Sequence, residues 1–130
     1  MRKQSNKPHP KAKRKAEKWF HKWIVIRDKR ICYTCGKEGN QAGHFKHGRL
    51  DFDENNLHCQ CAYCNKWLHG ALGIYAIKLL DELGRKKFDK LVFRANTENN
   101  KYTIAELEEI ADYYQAQCLS LQKYSKVVII

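Results

Sequence analysis

Apolar residues recur at helical spacing near the N-terminus of the chain. Between Lys11 and Lys29 they fall on one face at intervals of three and four, the period of an amphipathic helix. That face holds Ala16, Phe20, Trp23, Ile24 and, at its end, Arg27. The pattern predicts a helix that packs this face on the middle of the chain, with Trp19 beside it.

The middle of the chain is polar, and its apolar residues alternate over two short runs. Gln41 to Phe45 and Asn56 to Gln60 predict two strands, joined by a long connection that contains Gly48, Arg49 and three acids. Because helical patterns flank these strands on both sides, the sequence predicts an α+β fold.

The C-terminal part has the pattern of two or three helices. One is expected to start near Ala62, carry Cys64, Asn65 and His69 on successive turns, and continue to Gly84 with a break or a bend at Gly70. A short basic helix is predicted over 85–94 and a loop over 95–102. Thr103 to Glu106 is a capping box that opens a last helix through Leu121. The final residues, 127–130, are predicted to be either a paired strand or an edge for self-association, so a homodimer is one expected assembly.

Composition limits the classes of partner. The 130 residues carry 25 Lys and Arg against 14 Asp and Glu, a formal charge of +11, which points to a polyanion and first to nucleic acid. No apolar run approaches the roughly 20 residues that span a bilayer, and no secretory signal is visible at the N-terminus. We therefore expect no membrane partner and a reducing cytoplasm.

The first fifteen residues differ from the rest in composition. They hold seven Lys or Arg, no acid and both prolines, so they cannot bury a core. We predict a mobile basic tail over 1–15 that contacts phosphates, with mere solubilisation as the alternative. One domain is then predicted over 16–122, with a metal-held core at 30–70, a helical part at 71–122 and a tail at 123–130.

Two Cys-x-x-Cys pairs enclose the polar middle. Cys32 and Cys35 form the first pair, and Cys61 and Cys64 form the second. Two such pairs roughly 25 residues apart are typical of a tetrahedral zinc site, because each turn presents two thiolates and the metal closes the loop. Disulfides or buried thiols remain the alternatives. In a cytoplasmic protein, clustered cysteines hold metal more often than disulfides.

The order of motifs resembles that of the HNH nucleases, whose core is a ββα-metal finger. A histidine on a strand (Gln41-Ala-Gly-His44) is followed by Asn55-Asn56-Leu57 and by Cys64-Asn65 on a helix. With the later Tyr102-Thr-Ile-x-Glu-Leu107, these motifs resemble the NinG or Rap proteins of lambdoid phages, which are recombination nucleases of branched DNA. The arrangement is also similar to phage recombination endonuclease VII. The resemblance covers roughly residues 18–122.

The resemblance implies a role for each polar residue of the core. His44 would be the general base that deprotonates the attacking water, and Asn56 would orient its ring. Asn65 would ligate a divalent cation, Mg²⁺ or Mn²⁺, that stabilises charge on the phosphate and the leaving oxygen. Zinc on the four cysteines would be structural. The implied protein is phage-encoded and acts in the bacterial cytoplasm.

One position departs from the HNH pattern. Related sites place an acid or a second histidine just before the base, where this sequence has Gly43. His69, four residues after Asn65 on the expected helix face, is the first candidate to supply the missing ligand. His47, His58, Asp51 and Asp53 are further candidates, and each of them is also explained as an ordinary loop or strand residue. Cys59 and Cys118 are predicted to be buried thiols.

Three functions follow from these observations. The first is a metal-dependent, structure-selective endonuclease that hydrolyses phosphodiester bonds in branched recombination intermediates such as Holliday junctions and D-loops. The second is a zinc-stapled DNA-binding module without cleavage activity, for which Gly43 is the best argument. The third is a sequence-specific HNH nicking or restriction enzyme.

Overall fold

The computed structural model describes residues 9–99 and 101–129, which form four α-helices and a two-stranded sheet. The elements in chain order are α1 (Pro10–Arg27), β1 (Gln41–His44), β2 (Leu57–Gln60), a π-helical turn (Tyr63–Trp67), α2 (Leu72–Leu83), α3 (Arg85–Thr97) and α4 (Ile104–Ile129). The predicted α+β class is confirmed. The chain divides into two compact units: one contains α1 up to Phe20 together with α4, and the other runs from His21 through α3.

In the first unit, the apolar face of α1 contacts α4. Ala16 and Phe20 are fully buried, and the Phe20 ring meets Tyr114 edge-on with centroids 4.8 Å apart. Cys118 is also fully buried, with its thiol 3.7 Å from the carbonyl oxygen of Trp19. The predicted apolar face of α1 and the burial of Cys118 are therefore confirmed, but at Phe20 this face packs on α4 and not, as predicted, on the middle of the chain.

The capping box at the start of α4 is present. The Thr103 amide donates to Glu106 Oε1 at 2.8 Å, and the Glu106 amide donates to Thr103 Oγ1 at 3.1 Å. These bonds satisfy donors that the first turn of a helix otherwise leaves without partners.

In the second unit, β1 and β2 form an antiparallel hairpin. Gln41 lies opposite Gln60 and His44 opposite Leu57, so each predicted strand is correct to within one residue. A connection of twelve residues separates the two strands, and it carries Leu50 and Asp51 inward.

The outer edge of β2 is bonded by segments that precede the hairpin. Arg27 donates to the carbonyl of Leu57 at 2.9 Å, the Cys59 amide donates to Asp28 Oδ2 at 2.8 Å, and the Tyr33 amide donates to the carbonyl of Cys59 at 2.7 Å. Arg27 thus belongs to the packed face of α1, as predicted, and contributes through hydrogen bonds.

The core of the second unit lies between the hairpin connection and the α2–α3 pair. Its buried apolar residues are Phe45, Leu50, Tyr75, Leu79, Leu91 and Ala95. Tyr75 also has a polar role, because its hydroxyl donates to the carbonyl of Gly43 at 2.7 Å. This bond holds β1 against α2.

The helical segment predicted from Ala62 to Gly84 is broken near Gly70, which is one of the two outcomes expected there. The π-helical turn ends at Trp67, and His69, Gly70 and Ala71 adopt positive φ angles of 52°, 93° and 48°. At the interruption the Gly70 amide donates to the carbonyl of Cys64 at 2.8 Å, a local bond that ends the π-helical turn, and the Gly70 carbonyl accepts from Gln60 Nε2 of β2 at 2.9 Å.

Three predicted boundaries also change. Residues 10–15 of the predicted mobile tail belong to α1. This helix begins at Pro10, which is a favourable first helical residue because its ring already fixes φ. Residues 1–8 of the predicted tail lie outside the described part. The helix expected to end at Arg94 continues to Thr97. Residues 127–129, predicted as a strand or association edge, are helical because α4 extends to Ile129 without a glycine or proline. In the described part of the chain, no helix has an apolar stretch long enough to cross a bilayer.

Candidate metal and catalytic site

The four cysteines of the two Cys-x-x-Cys pairs come together in the second unit. Their sulfur atoms all lie within 4.8 Å of one another, and the Sγ atoms of Cys35 and Cys61 are 3.7 Å apart. In a tetrahedron with Zn–S distances of about 2.3 Å, neighbouring sulfurs are about 3.8 Å apart. The cluster could therefore hold a metal ion such as zinc.

Without a cation, the thiols of the cluster differ in their pKa. Burial acts to raise the pKa of Cys32, but hydrogen bonds from the Thr34 hydroxyl and from backbone amides outweigh it and lower the pKa to about 6. Burial raises the pKa of Cys64 to about 12. Four thiolates this close repel one another, so full deprotonation of the set needs a bound cation.

His44 ends β1 beside an acid and two further histidines. Its Nε2 lies 3.5 Å from Asp51 Oδ1, and its ring centroid is 6.0 Å from that of His21 and 4.9 Å from that of His47. The His44 and Asp51 side chains are only 18% and 12% exposed. The predicted base thus has a carboxylate in position to fix its ring.

His21 and the role of Asp51 are not visible in the local sequence. His21 reaches the site from α1, and burial, followed by the neighbouring His44, lowers its pKa to about 4. A neutral His21 adds no positive charge next to His44 near pH 7. His21 directly follows the buried Phe20 and looks in the sequence like any other partly buried helix residue, so only the fold reveals its approach to His44.

Asn56 is fully buried and holds the connection between the strands. Its Nδ2 donates to the carbonyls of Lys46 and Leu50 at 2.9 Å each, and its Oδ1 accepts from the Lys46 amide at 2.9 Å. Both amide hydrogens are consumed by these carbonyls. Asn56 therefore holds the loop that follows His44, and its carboxamide hydrogens have no capacity left for a direct bond to the His44 ring.

Asn65 lies on the π-helical turn directly after the last cysteine of the cluster. Its Nδ2 donates to Gln41 Oε1 at 2.9 Å, and a Cβ placed on Gly43 would lie 3.0 Å from its Oδ1. The structure thus brings the Asn65 oxygen to the residue that precedes His44. Short π-helical turns occur frequently at functional sites.

The other candidate ligands are placed differently. His69 lies in an exposed turn beyond the π-helical segment, so the argument that a shared helix face pairs it with Asn65 is wrong. His58 is buried, stacks on Tyr33 with centroids 3.9 Å apart and bonds the Tyr75 hydroxyl. Asp53 pairs with Arg94 at 2.8 Å. His58 and Asp53 therefore have structural contacts of their own.

A cleft of about 490 Å³ opens beside these residues. Its walls include His21, Lys22 and Arg30 together with Gln41 and Asn65. Lys22 and Arg30 are exposed, so the entrance carries positive charge where an anionic ligand would approach.

Comparison with known proteins identifies the family. The model of the family described as Bacteriophage Lambda NinG protein matches residues 1–124. The chain belongs to the NinG family. This result confirms the resemblance to the lambdoid-phage proteins that the motifs indicate.

Curated NinG proteins of several phages are similar over nearly the whole chain. "Protein ninG" of Escherichia phage 933W, of Escherichia phage lambda and of Salmonella phage P22 are each 28% identical to it in an alignment 130 positions long that covers 94% of the chain. The chain spans 64% of the length of the 933W protein and 63% of the lambda and P22 proteins. No solved structure matches the chain.

Proposed function

We propose that this NinG-family chain is a metal-dependent endonuclease of the HNH type that hydrolyses phosphodiester bonds in branched DNA. Two contacts at the end of β1 carry the proposal. His44 faces Asp51, and the π-helical turn after the hairpin brings Asn65 Oδ1 close to Gly43, the residue before His44. The order strand, strand, helical turn around a four-cysteine cluster resembles a ββα-metal finger and supports the proposal.

His44 is the general base in this proposal. Its Nε2 faces Asp51 Oδ1 at 3.5 Å, and a proton on Nε2 leaves the lone pair of a neutral imidazole on Nδ1. Asp51 thereby selects the tautomer, and Asn56 fixes the loop that joins them. The base accepts the proton of a water molecule that attacks phosphorus.

Asn65 supplies an oxygen to the divalent cation. Bound Mg²⁺ or Mn²⁺ would stabilise negative charge on the phosphate and on the leaving oxygen. Lys22 and Arg30 at the cleft attract the DNA backbone, consistent with the net charge of +11. Zinc on Cys32, Cys35, Cys61 and Cys64 would hold the hairpin and the π-helical turn in fixed positions relative to each other. The choice of branched DNA rests on the resemblance to recombination nucleases.

The test is cleavage of a labelled four-way junction and of a linear duplex of the same sequence, with Mg²⁺, Mn²⁺ or chelator. We expect metal-dependent cleavage that favours the junction. His44→Ala should lower the rate by about 100-fold or more, with binding almost unchanged. Asn65→Ala should also lower the rate, with partial recovery at higher Mn²⁺ because a lost ligand weakens metal affinity.

Asn55→Ala is the matched control, because Asn55 is exposed on the connection between the strands. It should cleave at the wild-type rate. His69→Ala measures whether the predicted second ligand contributes. Wild-type activity in zinc-loaded His44→Ala protein would refute the assignment of the base.

The alternative function is a zinc-held DNA-binding module that does not cut. Gly43 favours it, since a glycine offers no ligand where HNH sites carry an acid or histidine. This alternative would be established if zinc-loaded protein bound the four-way DNA junction tightly and did not cleave it in either Mg²⁺ or Mn²⁺.

A further inference from the structure

The space that a side chain at Gly43 would fill is occupied by Gln60. A Cβ built on Gly43 would overlap Gln60 Oε1, and it would lie 2.7 Å from Gln60 Cδ and 3.0 Å from Asn65 Oδ1. Two carboxamide oxygens from different elements therefore face the backbone of the residue that precedes His44. Any side chain at position 43 would displace one of them.

The orientation of the Gln60 carboxamide is determined by its hydrogen bonds. Its Nε2 donates to Thr34 Oγ1 at 3.0 Å and to the carbonyl of Gly70 at 2.9 Å, which uses both amide hydrogens. The oxygen must then point away from these acceptors and toward Gly43.

Gln60 Oε1 has no hydrogen-bond partner in the described part of the chain, although Gln60 is fully buried. A buried acceptor without a partner costs about 1–3 kcal/mol, and such groups are rare enough in folded proteins to require an explanation. The bonds to Thr34 and Gly70 keep this oxygen where it is despite that cost.

Asn65 presents its oxygen to the same place for a similar reason. Its Nδ2 is engaged with Gln41 Oε1 at 2.9 Å, which turns Oδ1 toward Gly43. Amide oxygens are ligands that Mg²⁺ and Mn²⁺ accept, with waters and substrate phosphate completing the coordination.

We propose that Gln60 Oε1 is a ligand of the divalent cation and takes the place of the acid that is absent at Gly43. Asn65 Oδ1 is the second protein ligand. This inference rests on the proposed function for the role of the cation, but the cation site itself can be tested without DNA. Because both ligands are neutral, the site binds the metal weakly until phosphate joins it.

The first test is Mn²⁺ binding to the zinc-loaded full chain. The electron paramagnetic resonance signal of free Mn²⁺ reports how much of the metal is bound. Gln60→Ala should weaken binding by about tenfold or more. Cys59→Ala is the matched control, because Cys59 is the neighbouring residue of β2 and is also fully buried. It should bind Mn²⁺ as the wild type does.

A second variant moves the ligand to position 43. Gly43 does not have a positive φ, so aspartate is compatible with its backbone once the Gln60 side chain is truncated. Gly43→Asp combined with Gln60→Ala should regain the Mn²⁺ affinity lost in Gln60→Ala. Affinity equal to that of Gln60→Ala alone would show that Gln60 merely fills space.

A measurement on the wild type avoids variants that fail to fold. During a Mg²⁺ titration followed by carbon-detected NMR, the side-chain Cδ resonance of Gln60 should shift, whereas that of the exposed Gln122 should not. An unmoved Gln60 resonance at saturating Mg²⁺ overturns the proposal.

These outcomes separate this inference from the proposed function. Metal-dependent cleavage with unchanged Mn²⁺ affinity in Gln60→Ala would retain the nuclease and reject Gln60 as a ligand. Gln60-dependent Mn²⁺ binding without cleavage of any DNA would retain the ligand and reject the nuclease.

Discussion

Replacing Gly43 by alanine adds one carbon atom beside a buried carboxamide. That carbon overlaps Gln60 Oε1 and lies 2.7 Å from Gln60 Cδ, so the carboxamide must move. Gln60 is fully buried, and moving it breaks its bonds to Thr34 and Gly70. Two lost hydrogen bonds cost about 1 kcal/mol each, and overpacking a buried site adds about 1–3 kcal/mol. We expect Gly43→Ala to lower the free energy of unfolding by about 3–5 kcal/mol.

Gly73→Ala provides a control of identical chemistry. Gly73 lies in α2, and a Cβ at this position would meet nothing within 4 Å. Because alanine restricts the unfolded chain and favours helix, this change should stabilise the protein by about 0.5–1 kcal/mol.

Urea unfolding of the zinc-loaded proteins measures both changes. The double variant Gly43→Ala/Gln60→Ala should lose less stability than the sum of the single variants, because the truncated side chain no longer clashes. Unfolding of Gly43→Ala within about 0.5 kcal/mol of the wild type would refute the description of this contact.

Further predictions concern metal, loop, pH and tail. Purified protein should carry one zinc per chain, and Cys35→Ser should abolish folding, since structural zinc contributes on the order of 10 kcal/mol; a folded metal-free wild type would contradict this. Asn56→Asp should destabilise by about 2–4 kcal/mol in urea unfolding because a carboxylate cannot donate to two buried carbonyls. Burial, with the charge of Arg27, lowers the pKa of His58 to about 4 from an ordinary 6.5, so the free energy of unfolding should decrease as pH falls from 6.5 to 4. His58→Gln should show a smaller decrease, whereas His69→Gln, at an exposed position, should keep the wild-type pH dependence. Deleting residues 1–8 removes three positive side chains and should make the log–log salt slope of DNA binding shallower by up to about 2–3; an unchanged slope would show that these residues only solubilise.

Local patterns predict most of the elements. The two strands, the apolar face of α1 and the capping box at Thr103 depend on side-chain periodicity and on contacts within one turn, which are visible in the sequence. The end of α4 was mispredicted because valine and isoleucine favour strands only when another strand is available, and here a helix without breakers continues through them.

The sequence predicts which residues come together at the candidate site better than it predicts the contacts among them. The four cysteines cluster as their spacing indicates, and Asn65 reaches the residue before His44. The break or bend expected at Gly70 is present, but the bond from Gln60 Nε2 to the Gly70 carbonyl joins two elements and leaves no periodic signal in the sequence. The approach of Asp51 and His21 to His44 depends on the packing of distant segments in the same way.

The hydrogen bonds along the outer edge of β2 limit how this protein can associate. A two-stranded sheet ordinarily exposes a row of donors and acceptors that another polypeptide can join as an added strand. Here Arg27, Asp28 and the Tyr33 amide already occupy the Leu57 carbonyl and both backbone polar groups of Cys59 on that side. Strand addition and amyloid-like stacking at β2 are therefore blocked, and a second copy of the chain that binds this one must use other surfaces.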